Sequence, residues 1–211
     1  MAVQKMSIHR ALSELKVYDD RIQKAINKTF VVANKRSNDK IQGKTIEETK
    51  ALIKGNFDSY YALTENQRRI KSAVVLSNAS TKVKIGGVEY TVAEAIERKA
   101  KIYHDESFIR TLKNRFFAEN DRVNNENEML PQKTESYLES VLGGKDKRTV
   151  DEVEAHTKLF VDKNRFELID PCDIVKQIDE LETRVEDFKS EVDYVLSESN
   201  ATTFIEVNLV D

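Results

Sequence analysis

The sequence predicts a mostly α-helical fold: an elongated helical bundle, or coiled-coil hairpins, carrying a small β-hairpin or β-sheet element. Three observations predict it. Hydrophobic residues make up 39% and charged residues 34% of the 211, with six Gly and two Pro, a balance suited to long amphipathic helices rather than a compact α/β enzyme. Ile174, Ile178, Leu181, Val185, Phe188, Val192 and Val195 alternate steps of four and three, the a/d rhythm of a coiled-coil seam. Finally, Thr81–Thr91 holds two alternating runs split by Gly86-Gly87, a hairpin pattern in which both central turn positions need positive φ.

The elements follow in order. Met1-Ala-Val-Gln-Lys5 leads into an amphipathic segment, and Ser7 is a good N-cap for a first helix whose stripe is Ile8, Leu12, Leu15, Ile22 and Ile26. Lys28–Ala33 is β-branched and aromatic, which predicts a short strand, followed by a polar loop to Gly43. Thr45 and Glu48 form a capping box for a helix that turns Ile46, Ile53, Phe57, Tyr60, Ile70 and Val74 inward. Gly55 is expected to weaken or kink that helix, and Ser77-Asn78 to end it.

Thr91 and Glu94 make a second box, opening a helix to about Asn125 with Ile96, Tyr103, Ile109, Leu112, Phe116 and Val123 as its stripe. Asn124–Pro131 is the linker candidate. A short helix over 134–142, a third box at Thr149 and Glu152, and a strand at Arg165–Ile169 stopped by Asp170-Pro171 come next. The seam helix and a closing strand at Thr202–Val207 complete the chain. This divides it into a basic helical part (1–125), a linker with short helices and a strand (126–172), and the heptad helix with its strand (173–211). Residues 75–85 and 195–205 echo each other, each passing from helix through a Ser/Asn-Ala turn into a strand, which is compatible with those strands pairing in one sheet.

Charge is unevenly placed. Residues 1–115 hold 23 Lys+Arg against 13 Asp+Glu, and residues 116–211 hold 11 against 24. Such asymmetry predicts that the halves face each other, within one chain or head to tail between chains; a basic half is also the mark of a nucleic-acid surface. The candidates for an anion or nucleic-acid patch are Lys35, Arg36, Arg68, Arg69 and Lys71, with Tyr60 and Tyr61 nearby in sequence. Asp39, Glu47 and Glu48 dilute the charge of the loop.

The lone Cys172 excludes an internal disulfide and is expected as a half-buried thiol beside a helix start. His9, His104 and His156 lack zinc-like spacing, and Glu152 and His156 are four apart with no second copy, so no metal or cofactor is expected. His104-Asp105-Glu106 has acid/base residue types but no accompanying nucleophile. No apolar run reaches the length of a membrane span and no signal h-region opens the chain, which points to the cytoplasm of a bacterial host cell or a particle assembled there.

Thr81-Lys-Val-Lys-Ile-Gly-Gly-Val-Glu-Tyr-Thr-Val-Ala-Glu-Ala-Ile-Glu-Arg-Lys99 resembles the central segment of the septicolysin-like family, small helical proteins of bacteria and phages. Ile8-His-Arg-Ala-Leu12 with Asp20-Arg-Ile22 resembles its first helix. Gln177–Leu181, Arg184 and Asn200–Thr203 resemble its last helix and end. The resemblance covers about half the chain in three patches and leaves extra material around 35–57 and 125–170. It implies a helical bundle with a small sheet in a bacterial or phage setting, and supplies no catalytic residues. The expected function is therefore a non-enzymatic structural or interaction protein, phage-encoded or phage-like, that oligomerises or docks through its helices, with the seam at Ile174–Val195 as the interface candidate, closing either inside one chain as in a bundle or between chains. The alternatives are a phage factor sequestering a nucleotide at the Ser77–Ser80 and Ser197–Thr202 turns, and an unspecified hydrolase.

Overall fold

The computed structural model describes residues 2–210, and the chain is mostly α-helical with small antiparallel β elements. Its contacts form two units: residues up to 100 together with those from 187 onward, and residues 101–186 nested between them in sequence.

In the first unit, β1 (Ala2–Ser7) pairs antiparallel with β6 (Phe204–Leu209), Met6 opposite Ile205. The sequence reading places no strand before Ser7; the partner of β1 lies some two hundred residues on, so no local signal marks it. Ser7 ends β1 and caps α1 (Ile8–Ile26), its hydroxyl accepting from the Arg10 amide at 3.2 Å. Met6, Ile8, Ala11, Tyr18, Ile205 and Val207 form a core with Ile70 and Val74 of α2 (Ile46–Ser80). Asp19 of α1 meets Gln67, and Phe30, just past the end of α1, meets Phe57, so α1 and α2 run antiparallel. Small Ala11 and Ala25 are buried on α1, whereas Leu12 and Ile26 of the expected stripe are 40% and 48% exposed.

Lys28–Ala33 is not a strand. Its composition favours extended backbone, but it has no partner strand; instead the Asn56 amide donates to the Thr29 carbonyl at 2.8 Å and Phe30 packs on Phe57. The loop after it contains a minimal hairpin, β2 (Lys40–Ile41) with β3 (Lys44–Thr45), turned by Gln42 and Gly43 at φ 47° and 82°. The Thr45–Glu48 capping box is closed, and α2 runs unbroken through Gly55 to Ser80.

The hairpin of β4 (Lys82–Ile85) and β5 (Val88–Thr91) forms as expected, with Gly86 and Gly87 at φ 56° and 77°. The two echo segments do not pair with each other: β4 takes β5, and β6 takes β1. Thr91 and Glu94 then cap α3 (Val92–Glu128). The hairpin tip rests on α6 (Ile174–Thr202), where the Gly86 amide donates to Glu191 at 2.7 Å, Tyr90 meets Phe188 edge-on and the Arg98 guanidinium lies 4.7 Å from the Phe188 ring centre.

In the second unit, the segment expected as a linker is helical. Apart from Met129, α3 continues directly into α4 (Leu130–Leu142), and helical bonds cross the join from Met129 to Asn125 and from Lys133 to Met129. Pro131 sits in the first turn of α4, where its missing N–H costs least. After a 3-10 turn at Lys145–Lys147, the third capping box opens α5 (Val150–Asn164), and Tyr137 of α4 stacks on Phe160 at 4.5 Å.

Arg165–Ile169 is coil rather than a strand. The Asn127 side chain donates to the Phe166 carbonyl and accepts from the Phe166 amide, both at 2.9 Å, supplying the two bonds a neighbouring strand would have made. Cys172 is exposed, not half-buried; the Asp170 carboxylate turns the chain outward there by accepting from the Cys172 and Ile174 amides.

Candidate interaction surface

The seven seam residues are all buried or half-buried within this one chain. Ile174, Ile178, Leu181 and Val185 pack against Ile102, Ile109 and Leu112 of α3. Phe188 and Val192 are 2% and 3% exposed in the first unit. Conversely, Ile96 and Tyr103, read as inward on α3, are 47% and 57% exposed. That helix is apolar on more than one side, and neighbouring Ala95 and Ile102 take the inward places.

The basic candidates are also redistributed. Both Arg68 and Arg69 bond to Glu65, Arg68 through two nitrogens at 2.8 Å each, and Arg69 also donates to the Asn208 carbonyl of β6 at 2.9 Å. The hydrogen bonds from these guanidiniums hold the Glu65 carboxyl down to about 2. Lys35, Arg36 and Lys71 are exposed. The extended segment bearing Lys35 and Arg36 is docked at Phe57, roughly three turns or about 16 Å along α2 from Arg68.

What the extended segment does assemble is an aromatic groove of about 410 Å³ lined by Ile26, Phe30, Phe57, Tyr60 and Tyr61. Phe30 stands edge-on to Phe57 with centroids 4.8 Å apart, Phe57 and Tyr61 stack at 6.5 Å one helical turn apart, and Tyr60 is edge-on to Tyr61 at 5.7 Å. The buried Asn56 fixes the extended segment beneath them. Phe57 and Tyr61 remain 42% and 63% exposed, and Val31 beside Phe30 is 85% exposed. Residues 21–40 around this groove contain Arg21, Lys24, Lys28, Lys35, Arg36 and Lys40 against one acid, Asp39.

A second surface lies in the other unit. Ile169 is 91% exposed, with Phe166 and Leu168 each 37% and Val175 46% exposed. The run from Phe166 to Glu180 carries Glu167, Asp170, Asp173, Asp179 and Glu180 against Lys176. Its backbone is held at both ends of the exposed stretch, by Asn127 at Phe166 and by Asp170 at the start of α6.

The remaining clefts are structural in their chemistry. A 680 Å³ groove along α4 and α5 contains Arg148, whose buried side chain bonds Glu135 and the Gly143 carbonyl. A 440 Å³ groove beside β4 includes Thr81, Lys82, Lys84, Ser199 and Thr202. The Ser77–Ser80 and Ser197–Thr202 segments near it are the closing turns of α2 and α6, and the amides of Thr81 and Thr203 are already bonded to Ser77 and Ser199. Helix ends of this polarity present carbonyls and repel phosphate.

His156 lies 3.2 Å from the Tyr137 hydroxyl and His104 packs on Tyr103. Among the described residues no His, Cys, Asp and Glu group is placed to hold a metal ion, and no helix is long and apolar enough to cross a membrane. No protein-family model, curated protein or solved structure matches the chain.

Proposed function

We propose that the chain is a non-enzymatic assembly protein, a subunit that associates with further copies or other protein subunits in a bacterial or phage setting. The observation that carries this reading is its surface. Large apolar side chains stand on it in both units, including Tyr61 and Leu76 on α2 and Tyr103 and Phe117 on α3. The seam is engaged inside the chain, so association falls to these other faces. The sequestering alternative draws no support from the Ser-rich turns, whose helical ends offer no spare amides.

Size-exclusion chromatography with light scattering tests the proposal. A mass above 24.3 kDa that falls on dilution supports it. A strict monomer at every concentration, with no protein partner recovered from host extract, sinks it.

A further inference from the structure

Resting on that assembly reading, we infer that copies join head to tail: the aromatic groove around Phe57 and Tyr61 of one copy takes the acidic apolar segment at Ile169 of the next. The two surfaces are unlike and complementary. The groove is an open apolar cleft of about 410 Å³, two of whose lining residues, Ile26 and Phe30, belong to the stretch 21–40, which holds six Lys and Arg against one Asp. The segment presents Ile169, 91% exposed, among Glu167, Asp173, Asp179 and Glu180.

Each surface is also fixed before it meets the other. Asn56 holds the Thr29 carbonyl beneath the groove. Asn127 clamps Phe166, and Asp170 is tied to the Ile174 amide, so Ile169 is displayed between two anchored points. Little ordering entropy is lost when such pre-set surfaces dock. A junction between unlike surfaces closes a dimer where two copies fill each other's grooves at once, and otherwise builds rings or open chains. The opposite charges speed and orient the encounter and make it sensitive to salt.

The basic stretch with exposed rings also invites single-stranded nucleic acid, which stacks on aromatics along a positive groove. The second copy is favoured because the counterpart segment is present in equal amount, and because Arg68 and Arg69 are engaged by Glu65.

Two variants test the junction, Tyr61→Asp in the groove and Ile169→Asp in the segment; both side chains are largely exposed, and circular dichroism confirms that each variant folds. By light scattering, each variant alone is expected to lose the oligomer. An equimolar mixture is expected to give a dimer and nothing larger, because one variant keeps its groove and the other its segment. Raising the salt concentration is expected to lower the mass of the wild-type assembly.

An oligomeric wild type whose mass neither variant changes overturns the junction while leaving the assembly reading standing. Two monomeric variants that do not recombine overturn the head-to-tail geometry. A monomeric wild type removes both readings. A wild type that shifts a single-stranded oligonucleotide, with Tyr61→Asp abolishing the shift and leaving the protein's mass unchanged, assigns the groove to nucleic acid and overturns the proposal.

Discussion

Asn56, Asn66 and Asn127 each sit on a helix and hold a segment of extended chain that has no strand beside it. Asn66, 7% exposed, donates to the Val210 carbonyl at 2.8 Å and accepts from the Val210 amide at 2.7 Å, fastening the chain just beyond β6 to α2. Asn66→Ala leaves those backbone groups without their partner and is expected to cost about 1–3 kcal/mol, seen as a lower urea midpoint with faster amide exchange in β6. A carboxylate does comparable work next door. Glu65, depressed to about 2 by its two arginines, favours the folded state fully above its ordinary value near 4.5, and that contribution disappears as pH falls towards 2. Stability measured down that pH range should therefore fall less steeply in Glu65→Gln than in the wild type. None of these roles is legible in sequence. An asparagine on a helix looks like any solvated polar residue until the chain it grips has been placed, and the same holds for the groove: Phe30 reads as part of a strand, Phe57 and Tyr60 as core.

Elements whose signals are local were legible. All three capping boxes are closed, Thr45 with Glu48, Thr91 with Glu94 and Thr149 with Glu152, because donor and acceptor lie three residues apart and need nothing else. The β4–β5 hairpin is equally self-contained, yet its two glycines do different things. A Cβ on Gly86 would lie 3.2 Å from the Asp187 Cβ and 3.5 Å from the Phe188 nitrogen, whereas one on Gly87 would meet nothing within 4 Å. Both have positive φ. Gly86→Ala is accordingly expected to destabilise by about 1–2 kcal/mol through the left-handed backbone alone, with the crowding against α6 added. Gly87→Asn, a residue that tolerates this conformation, should stay within about 0.5 kcal/mol. Thermal unfolding of the pair separates them. Signals that needed a distant partner failed: 28–33 and 165–169 have strand-like composition without a strand to pair with, and β1 has the partner without a recognisable pattern.

For the molecule as a whole, the charge division is worked out partly within the units. Lys99 pairs with Asp193 in the first unit, and Lys113 with Glu182 at 2.7 Å in the second, each joining a lysine of α3 to the acidic α6. The seam and these ion pairs thus describe how α3 meets α6 within each unit, while Ile96 and Tyr103, assigned by periodicity to the inward stripe, stand outside, as does Phe117. Sequence periodicity finds apolar faces but does not say how many neighbours there are to cover them.

The pairing of β1 with β6 has a consequence for biosynthesis. Residues 2–7 leave the ribosome well before residues 204–209, which complete their ribbon and emerge only after everything between has been made. Until then Met6, Ile8, Ile70 and Val74 lack the Ile205 and Val207 that cover them. The second unit, encoded in between, can close while translation is still under way, which shortens the loop whose entropy the ribbon must overcome. Between the emergence of β1 and that of β6 the nascent chain therefore carries an uncovered apolar face, an interval in which chaperones have something to hold and unfinished neighbours on a polysome have something to stick to.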